Sequence, residues 1–148
     1  FLARHVLIRL LSGGHHVRAT LRSPDRADEV RAAVLPQLAA DAAARLSFVA
    51  LDLTADEGWD AAMAGAGALI HTASPFPIAQ PRDAAELIRP AVDGTLRALR
   101  AAHRAGVGRV VLTSSTVAIV APGVHGPQDE DRWTDLGLPG VTPYARSK

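Results

Sequence analysis

The sequence contains no cysteine, and this absence excludes disulfide bridges and thiolate metal sites. Aromatic residues make up only 4% of the 148 residues, and no apolar run reaches the ~20 residues that a membrane-spanning helix needs. The formal net charge is +1 and the basic residues are spread along the chain, whereas a nucleic-acid surface needs them clustered. We therefore expect a cytoplasmic protein that binds neither nucleic acid nor membrane.

Histidine is present but is not arranged as a metal site. None of the six histidines stands four residues from another, which is the spacing of a helical metal site. His15 and His16 are adjacent and would point to opposite faces of a strand. His71 is expected to make a structural hydrogen bond. We expect no metal site.

Segments with helical and strand periodicity alternate along the chain. Short apolar strands separated by helices are typical of a parallel sheet covered by helices on both faces. The predicted strands are 16–22, with Val17, Ala19 and Leu21 on one face, then 46–51, 66–71 and 107–113. The predicted helices are 1–11, 23–44 with a break near Pro36, 56–63, 83–105, and one that begins at Pro143. Ser23 is expected to cap the second helix, and Pro90 to kink the fourth or to mark its true start. The sequence therefore predicts an α/β, doubly wound parallel sheet.

Both ends of the sequence have the character of cut elements. The first helical pattern begins at Phe1 with no capping residue before it, and the last helix reaches Lys148 after about one turn. We expect residues 1–148 to be part of a longer protein, with sequence missing on both sides.

Polar residues stand where the predicted strands end. In folds of this kind ligands bind at the carboxyl ends of the strands. These positions are Arg22, Asp52, the turn 71–74, the run 113–115, and Tyr144 at the start of the helix that follows. Because these groups fall at four strand ends and one helix start, together they predict a ligand site along this edge.

The chain has a single tyrosine, Tyr144, and a single lysine, Lys148, four residues apart. On a helix, this spacing places both side chains on one face, with the phenol beside the ammonium. A neighbouring ammonium stabilises a phenolate, so such a tyrosine can exchange a proton with a carbonyl or alcohol oxygen. A chance pairing at a helix start is the alternative interpretation of this motif alone.

Ser115 and Tyr144-Ala145-Arg146-Ser147-Lys148 together resemble the Ser…Tyr-x-x-x-Lys set of the extended short-chain dehydrogenase/reductases. Four further stretches are similar to the branch that contains dihydroflavonol reductase, cinnamoyl-CoA reductase and microbial aldehyde reductases: 17–22, 71–75, 90–95 and 109–115. The resemblance covers nearly the whole chain in the family's order. It implies a Rossmann-type fold, with a glycine-rich loop and a first strand ahead of Phe1 and a substrate region after Lys148.

The resemblance also implies roles in catalysis. Ser115 would hold the substrate oxygen, with Ser114 as its nearest competitor. Tyr144 would be the general acid in reduction and the general base in oxidation. Lys148 would favour ionisation of Tyr144 and would hydrogen-bond the nicotinamide ribose.

Further residues are implied in cofactor binding. Arg22 stands where NAD-binding proteins of this type carry an acidic residue, and a guanidinium there suits the 2′-phosphate of NADP(H); a solvated surface arginine is the alternative, and Arg26 is a weaker candidate. Asp52 and Leu53 match the pair beside the adenine, and a helix cap after a strand is the alternative for Asp52. The turn under the nicotinamide ribose and the strand end beside it match Thr72, Ala73, Ser74 and Thr113.

We interpret the chain as part of an NADP(H)-dependent oxidoreductase that reduces a ketone or aldehyde on a hydrophobic or aromatic small molecule. The apolar run 74–78 favours such a substrate. One alternative is an NAD-dependent nucleotide-sugar epimerase or dehydratase, and another is a non-enzymatic NADP-binding regulatory protein, which has no need for Ser115, Tyr144 and Lys148 together. A homodimer is plausible by resemblance only.

Overall fold

A computed structural model describes residues 1–76 and 83–148 of the 148-residue chain. Helices and strands alternate in the predicted order. They are α1 (Leu2–Ser12), β1 (Val17–Leu21), α2 (Ala27–Val34), β2 (Leu46–Ala50), α3 (Trp59–Met63), β3 (Ala68–His71), α4 (Ala85–Arg104), β4 (Arg109–Leu112) and α5 (Pro143–Arg146). Short 3-10 helices cover Pro24–Arg26, Leu35–Gln37, Ala40–Arg45 and Thr116–Ala118. No helix in the described part of the chain is long and apolar enough to cross a membrane.

The four strands form two parallel pairs. β1 pairs with β2, with Val17 opposite Leu46 and Leu21 opposite Ala50. β3 pairs with β4, with Ala68 opposite Arg109. The described strands make two two-stranded sheets, with no ladder between β1 and β3. Because each pair is parallel, its carboxyl ends lie together at one edge, as the predicted ligand site requires.

The first strand pair is packed against α1 and α2. Leu11 and Val34 are both fully buried there. Val17, Ala19 and Leu21 pack against the same cluster, which confirms the predicted face of β1. Burying one such aliphatic side chain stabilises the fold by about 1.5–3 kcal/mol. This cluster therefore holds α1 and α2 on one face of the pair. Its buried members are Leu7, Leu11, Val30, Val34, Ala42 and Leu46.

A second core forms where α3 packs on α4. Trp59 and Met63 lie against a run of small residues on α4, namely Ala98, Ala101 and Ala102. The small side chains leave room for the indole, whose Nε1 donates to the carbonyl oxygen of Ala55 at 2.9 Å. This packing fixes the position of α4 behind β3.

Several predicted elements differ in detail from the structure. The helix predicted over 23–44 is broken into an α-helix and 3-10 pieces, with the break at Pro36 as expected, because proline lacks the N–H and disfavours helical geometry in the residue before it. Ser23 makes no side-chain capping hydrogen bond. The third helix begins at Trp59 rather than residue 56, since Gly58 has φ +83° and cannot be helical.

Two other predictions need correction. Pro90 lies inside a continuous α4 and so does not mark its start, whereas the kink stays a prediction. The strand predicted over 66–71 was expected to be buried, yet in β3 only His71 is buried, and all four side chains of β4 are exposed. Apolar composition predicted these strands correctly, but it cannot show whether another element covers them. Residues 77–82, which include the last two residues of the apolar run 74–78, lie outside the described part of the chain.

Candidate active site

The last helix carries the tyrosine of the predicted pair, and the lysine follows it. Pro143 opens α5, and the Thr142 hydroxyl accepts from the backbone N–H of Ala145 at 3.1 Å, which caps the helix. The helix ends at Arg146, so Lys148 lies beyond it rather than on its next turn. The Lys148 ammonium nevertheless lies 5.3 Å from the centroid of the Tyr144 ring. The structure thus brings the two side chains together, with Lys148 reaching the ring from outside the helix.

The turn after β3 contacts both members of this pair. The Lys148 ammonium donates to the hydroxyl oxygen of Ser74. The ring of Phe76 meets the ring of Tyr144 edge to face, with centroids 5.3 Å apart and planes at 81°. Ser74, Tyr144 and Lys148 are half-buried, whereas Phe76 is 76% exposed. Sequence reasoning assigned Ser74 to the cofactor and did not find either contact.

Ser115 lies at the start of the 3-10 helix that follows β4. It is half-buried, and its hydroxyl makes no hydrogen bond to the described residues, although it occupies the capping position. The neighbouring Ser114 is exposed. α5 packs against this 3-10 helix, which brings the elements carrying Ser115 and Tyr144 into contact. Among the described residues, no hydrogen bond links the side chains of Ser115 and Tyr144. A substrate oxygen that binds both would therefore lie between them.

The ends of β1 and β2 carry a charged pair. Oδ1 of Asp52 accepts from the Thr54 backbone N–H at 2.8 Å and from the Thr54 hydroxyl at 2.7 Å. These hydrogen bonds lower the pKa of Asp52, and the positive charge of Arg22 adds to the effect. Arg22 itself is exposed and makes no hydrogen bond to any described residue. Asp52 therefore structures a turn and caps no helix, because the next helix begins only at Trp59, while the guanidinium of Arg22 is available to a ligand.

Leu53 contacts α4 through both its backbone and its side chain. Its carbonyl oxygen accepts from Arg97 at 2.8 Å. Its side chain lies so close to Gly94 that a Cβ built there would stand 2.8 Å from the Cβ of Leu53. The sequence placed Leu53 beside the adenine but gave no sign that α4 fixes it. The signal was Gly94 itself, since a glycine inside a helix often marks a close approach.

A cavity of about 90 Å³ opens between the two strand pairs. Leu51, Leu53, His71, Thr72 and Ala73 are among the residues that line it. Its volume suits a few water molecules rather than a dinucleotide. Thr113, the remaining predicted cofactor residue, is exposed, and its backbone N–H donates to the carbonyl oxygen of His71 at 3.0 Å. The predicted cofactor residues therefore outline an edge rather than an enclosed pocket.

His71 is the one buried polar or charged residue in the described part of the chain, with 6% of its surface exposed. Its buried Nε2 makes no hydrogen bond to the described residues, so the expected structural hydrogen bond is not found at that atom. Burial lowers the pKa of His71, and the nearby charge of Lys148 lowers it further. Within 1–76 and 83–148, no group of three or more histidine, aspartate or glutamate residues is arranged to hold a metal ion.

The chain matches the NAD dependent epimerase/dehydratase family along residues 1–148. The chain belongs to this family. The resemblance to extended short-chain dehydrogenase/reductases is thereby confirmed, and with it the Rossmann-type fold. Members of the family depend on a nicotinamide dinucleotide.

Relatives within the family include plant reductases. The chain is 37% identical over 144 residues to tetraketide alpha-pyrone reductase 1 of Arabidopsis thaliana, covering 93% of this chain and 43% of that protein. It is 32% identical over 139 residues to dihydroflavonol 4-reductase of Hordeum vulgare, covering 92% and 38%. The crystal structure of vestitone reductase from alfalfa superposes with a TM-score of 0.78 at 30% identity, covering 100% of this chain and 46% of that one. The chain thus spans about two fifths of the length of these curated relatives.

Proposed function

We propose that the intact protein uses NADPH to reduce a ketone or aldehyde on a hydrophobic or aromatic small molecule to an alcohol. The observation that carries the proposal is the Tyr144–Lys148 contact at the carboxyl edge of β3 and β4. The helix that bears Tyr144 also packs against the 3-10 helix that follows Ser115. A phenol beside an ammonium suits proton transfer to a carbonyl oxygen. Three of the relatives are named as reductases, and these names support the same reaction class.

Each polar group at this edge has one task in the proposed reaction. The cofactor supplies the hydride. The Tyr144 hydroxyl, which makes no hydrogen bond to the described residues, gives its proton to the substrate oxygen. The unpaired hydroxyl of Ser115 donates to that oxygen as negative charge develops on it. The ammonium of Lys148 stabilises the phenolate that Tyr144 leaves behind.

Arg22 supports NADPH over NADH. It ends β1 as an exposed guanidinium with no hydrogen bond to the described residues. Such a group fits the 2′-phosphate through charge-assisted hydrogen bonds. Arg26, by contrast, is already bound to Glu29 through two hydrogen bonds of 2.8 and 3.1 Å. We therefore assign the phosphate to Arg22 alone.

The remaining cofactor residues line the same edge. Asp52 keeps one carboxylate oxygen outside the Thr54 turn, and that oxygen can accept from the adenine amine. Leu53 provides the apolar surface beside the adenine ring. Small residues follow β3 where the backbone would pass under the nicotinamide ribose, in the turn Thr72, Ala73 and Ser74, with Thr113 beside it.

Two exposed aromatic residues favour an aromatic or otherwise apolar substrate. Phe76 packs on Tyr144 and is 76% exposed, and Trp133 in the loop before α5 is 77% exposed. Thr134, next to Trp133, is anchored because its hydroxyl donates to the carbonyl oxygen of Val117 at 2.7 Å. The indole is thus carried by a loop that is hydrogen-bonded to the 3-10 helix after Ser115.

The test is NADPH consumption by the intact protein with a panel of aryl aldehydes, ketones and flavanonols. Tyr144→Phe should be slower than wild type by ~10²–10⁴-fold, the loss expected for a missing general acid. Its NADPH affinity, followed by nucleotide fluorescence, should remain close to wild type because the change removes only the hydroxyl. A variant that binds NADPH and turns over as fast as wild type would refute the proposal.

The same assays separate the alternatives. An epimerase or dehydratase would hold NAD through purification, ignore the carbonyl panel and convert a nucleotide sugar. A regulatory protein would bind NADPH, turn over nothing, and keep its function in the Tyr144→Phe variant. Either pattern would replace the reductase assignment.

A further inference from the structure

Three consecutive residues, Ser74–Phe76, form a strap across the Tyr144–Lys148 pair. The hydroxyl oxygen of Ser74 accepts from the Lys148 ammonium, and the Phe76 ring packs on the Tyr144 ring. The strap begins three residues after His71, which is the buried last residue of β3. Both members of the pair are therefore held by one short segment that lies far from them in sequence.

Helix α5 alone does not fix the lysine side chain. Lys148 follows the last helical residue, and its backbone N–H donates only to the carbonyl oxygen of Ala145, at 3.1 Å. A lysine side chain is long and samples many rotamers, so a backbone anchor does not determine where its ammonium lies. In the described part of the chain, Ser74 is the one hydrogen-bond acceptor for this ammonium. The contact with Ser74 thus selects the rotamer in which the charge lies beside Tyr144.

We propose that Ser74 is a positioning residue that holds the Lys148 ammonium against Tyr144, with Phe76 steadying the ring. The inference rests on the proposed function, because it gives Ser74 its role through the Tyr144–Lys148 pair. It does not remove the predicted contact of Ser74 with the cofactor. A serine hydroxyl that accepts from a lysine keeps its own hydrogen for a second acceptor, such as a ribose oxygen.

The first test compares Ser74→Ala with Ser74→Thr in the intact protein. Ser74→Ala should lower kcat roughly tenfold, the lower end of the effect expected when a hydrogen bond to a charged group is lost. The main effect should be on kcat, because Lys148 acts on the chemical step through Tyr144, and any rise in KM for NADPH should be smaller, since Ser74 and Lys148 are also predicted to contact the cofactor. Ser74→Thr keeps the hydroxyl and should restore kcat. Ser47→Ala, which removes an exposed hydroxyl that donates to Val17 on the other strand pair, is the matched control and should behave as wild type.

A double-mutant cycle with Lys148→Met separates positioning from cofactor binding. If Ser74 acts through Lys148, adding Ser74→Ala to Lys148→Met should leave kcat unchanged from the single Lys148→Met variant. An equal loss in both backgrounds, or a loss confined to KM for NADPH, would mean that the hydroxyl serves the cofactor and would overturn the inference.

A measurement without turnover keeps this inference distinct from the proposed function. The acylation rate of Lys148, followed by mass spectrometry of its peptide, should rise roughly 2–10-fold in Ser74→Ala, because the amine loses a hydrogen-bond partner. An unchanged rate would refute the positioning role, whatever the protein's activity. Conversely, failure of Tyr144→Phe to slow turnover would refute the reductase proposal even if the labelling of Lys148 responds as expected.

Discussion

The two strand pairs have the same parallel geometry but different surroundings. β1 and β2 lie against α1 and α2, and β1 alternates between half-buried and exposed side chains. β4 is exposed at all four positions in the described part of the chain. At the carboxyl ends of the two pairs, Arg22 and the Tyr144–Lys148 pair show the reverse order of exposure: Arg22 is exposed, and the pair is half-buried. Arg22 stands in water at the end of β1, whereas Ser74, Tyr144 and Lys148 form a half-buried cluster beyond β3.

This difference predicts how strongly each end should respond to substitution. Electrostatic interactions weaken with solvent exposure, because water screens them more than protein does. Groups at the β1–β2 end should therefore adjust cofactor choice by modest factors. The proposed catalytic groups at the β3–β4 end are half-buried, so they contact the developing negative charge with less water around them. Their removal should therefore lower the reaction rate by a larger factor. Substitutions at the two ends test this order.

After Tyr144→Phe, the largest effect is expected at Ser115. Ser115→Ala should lower kcat by ~10²–10³-fold, as loss of one donor to a developing oxyanion does. The steady-state rate with the best carbonyl substrate measures it. Ser114→Ala is the matched control, since the two serines are adjacent and only Ser114 is exposed. If Ser114→Ala is the slower variant, the catalytic assignment moves to that residue.

A smaller effect is expected at Arg22. Arg22→Ser should raise KM for NADPH roughly tenfold, the lower end for a hydrogen bond to a charged group, because Arg22 is exposed. KM for NADH should hardly change, so the preference for NADPH over NADH should become smaller. Initial rates with each cofactor measure this.

Arg26→Ser is the control for that experiment. Arg26 donates to Glu29, which Arg4 also contacts, and these hydrogen bonds lower the pKa of Glu29 to about 2. Arg26 is thereby committed to a surface ion pair. Cofactor preference should survive its loss, and a narrowed preference in Arg26→Ser would mean that both arginines bind the phosphate.

Local patterns in the sequence predicted more of the fold than of the site. The order of helices and strands follows from apolar periodicity over a few residues, and the start of α5 follows from Pro143. The Tyr144–Lys148 contact was predicted from a spacing of four, although Lys148 reaches the ring from beyond the helix. These features are encoded within a turn or two of chain.

Contacts between distant residues were not predictable in this way. Ser74 and Lys148 are 74 positions apart, and neither position alone shows that one accepts from the other. The exposure of β4 was not predictable for a related reason. The apolar pattern of a strand is the same whether or not another element covers it. The unpaired Nε2 of His71 likewise depends on its surroundings rather than on its own segment.

The smallest expected effect lies where α4 joins the two regions. Gly94 of α4 faces Leu53, which follows β2, and a Cβ at Gly94 would stand 2.8 Å from its Cβ and 3.1 Å from its carbonyl oxygen. Gly94→Ala gains about 0.5–1 kcal/mol from the preference of helices for alanine, but overpacking costs about 1–3 kcal/mol. We expect a net destabilisation of about 1 kcal/mol, measured by urea unfolding of the intact protein.

Gly67→Ala is the control, because a Cβ there meets nothing within 4 Å and the residue has no positive φ. It should change the free energy of unfolding by no more than about 0.5 kcal/mol. If Gly94→Ala is as mild as Gly67→Ala, then Leu53 yields to the added methyl group, and α4 does not set the position of Leu53. If Gly94→Ala is destabilising and also weakens NADPH binding, then the contact between α4 and Leu53 couples the cofactor end of the first strand pair to the helix that packs behind the second.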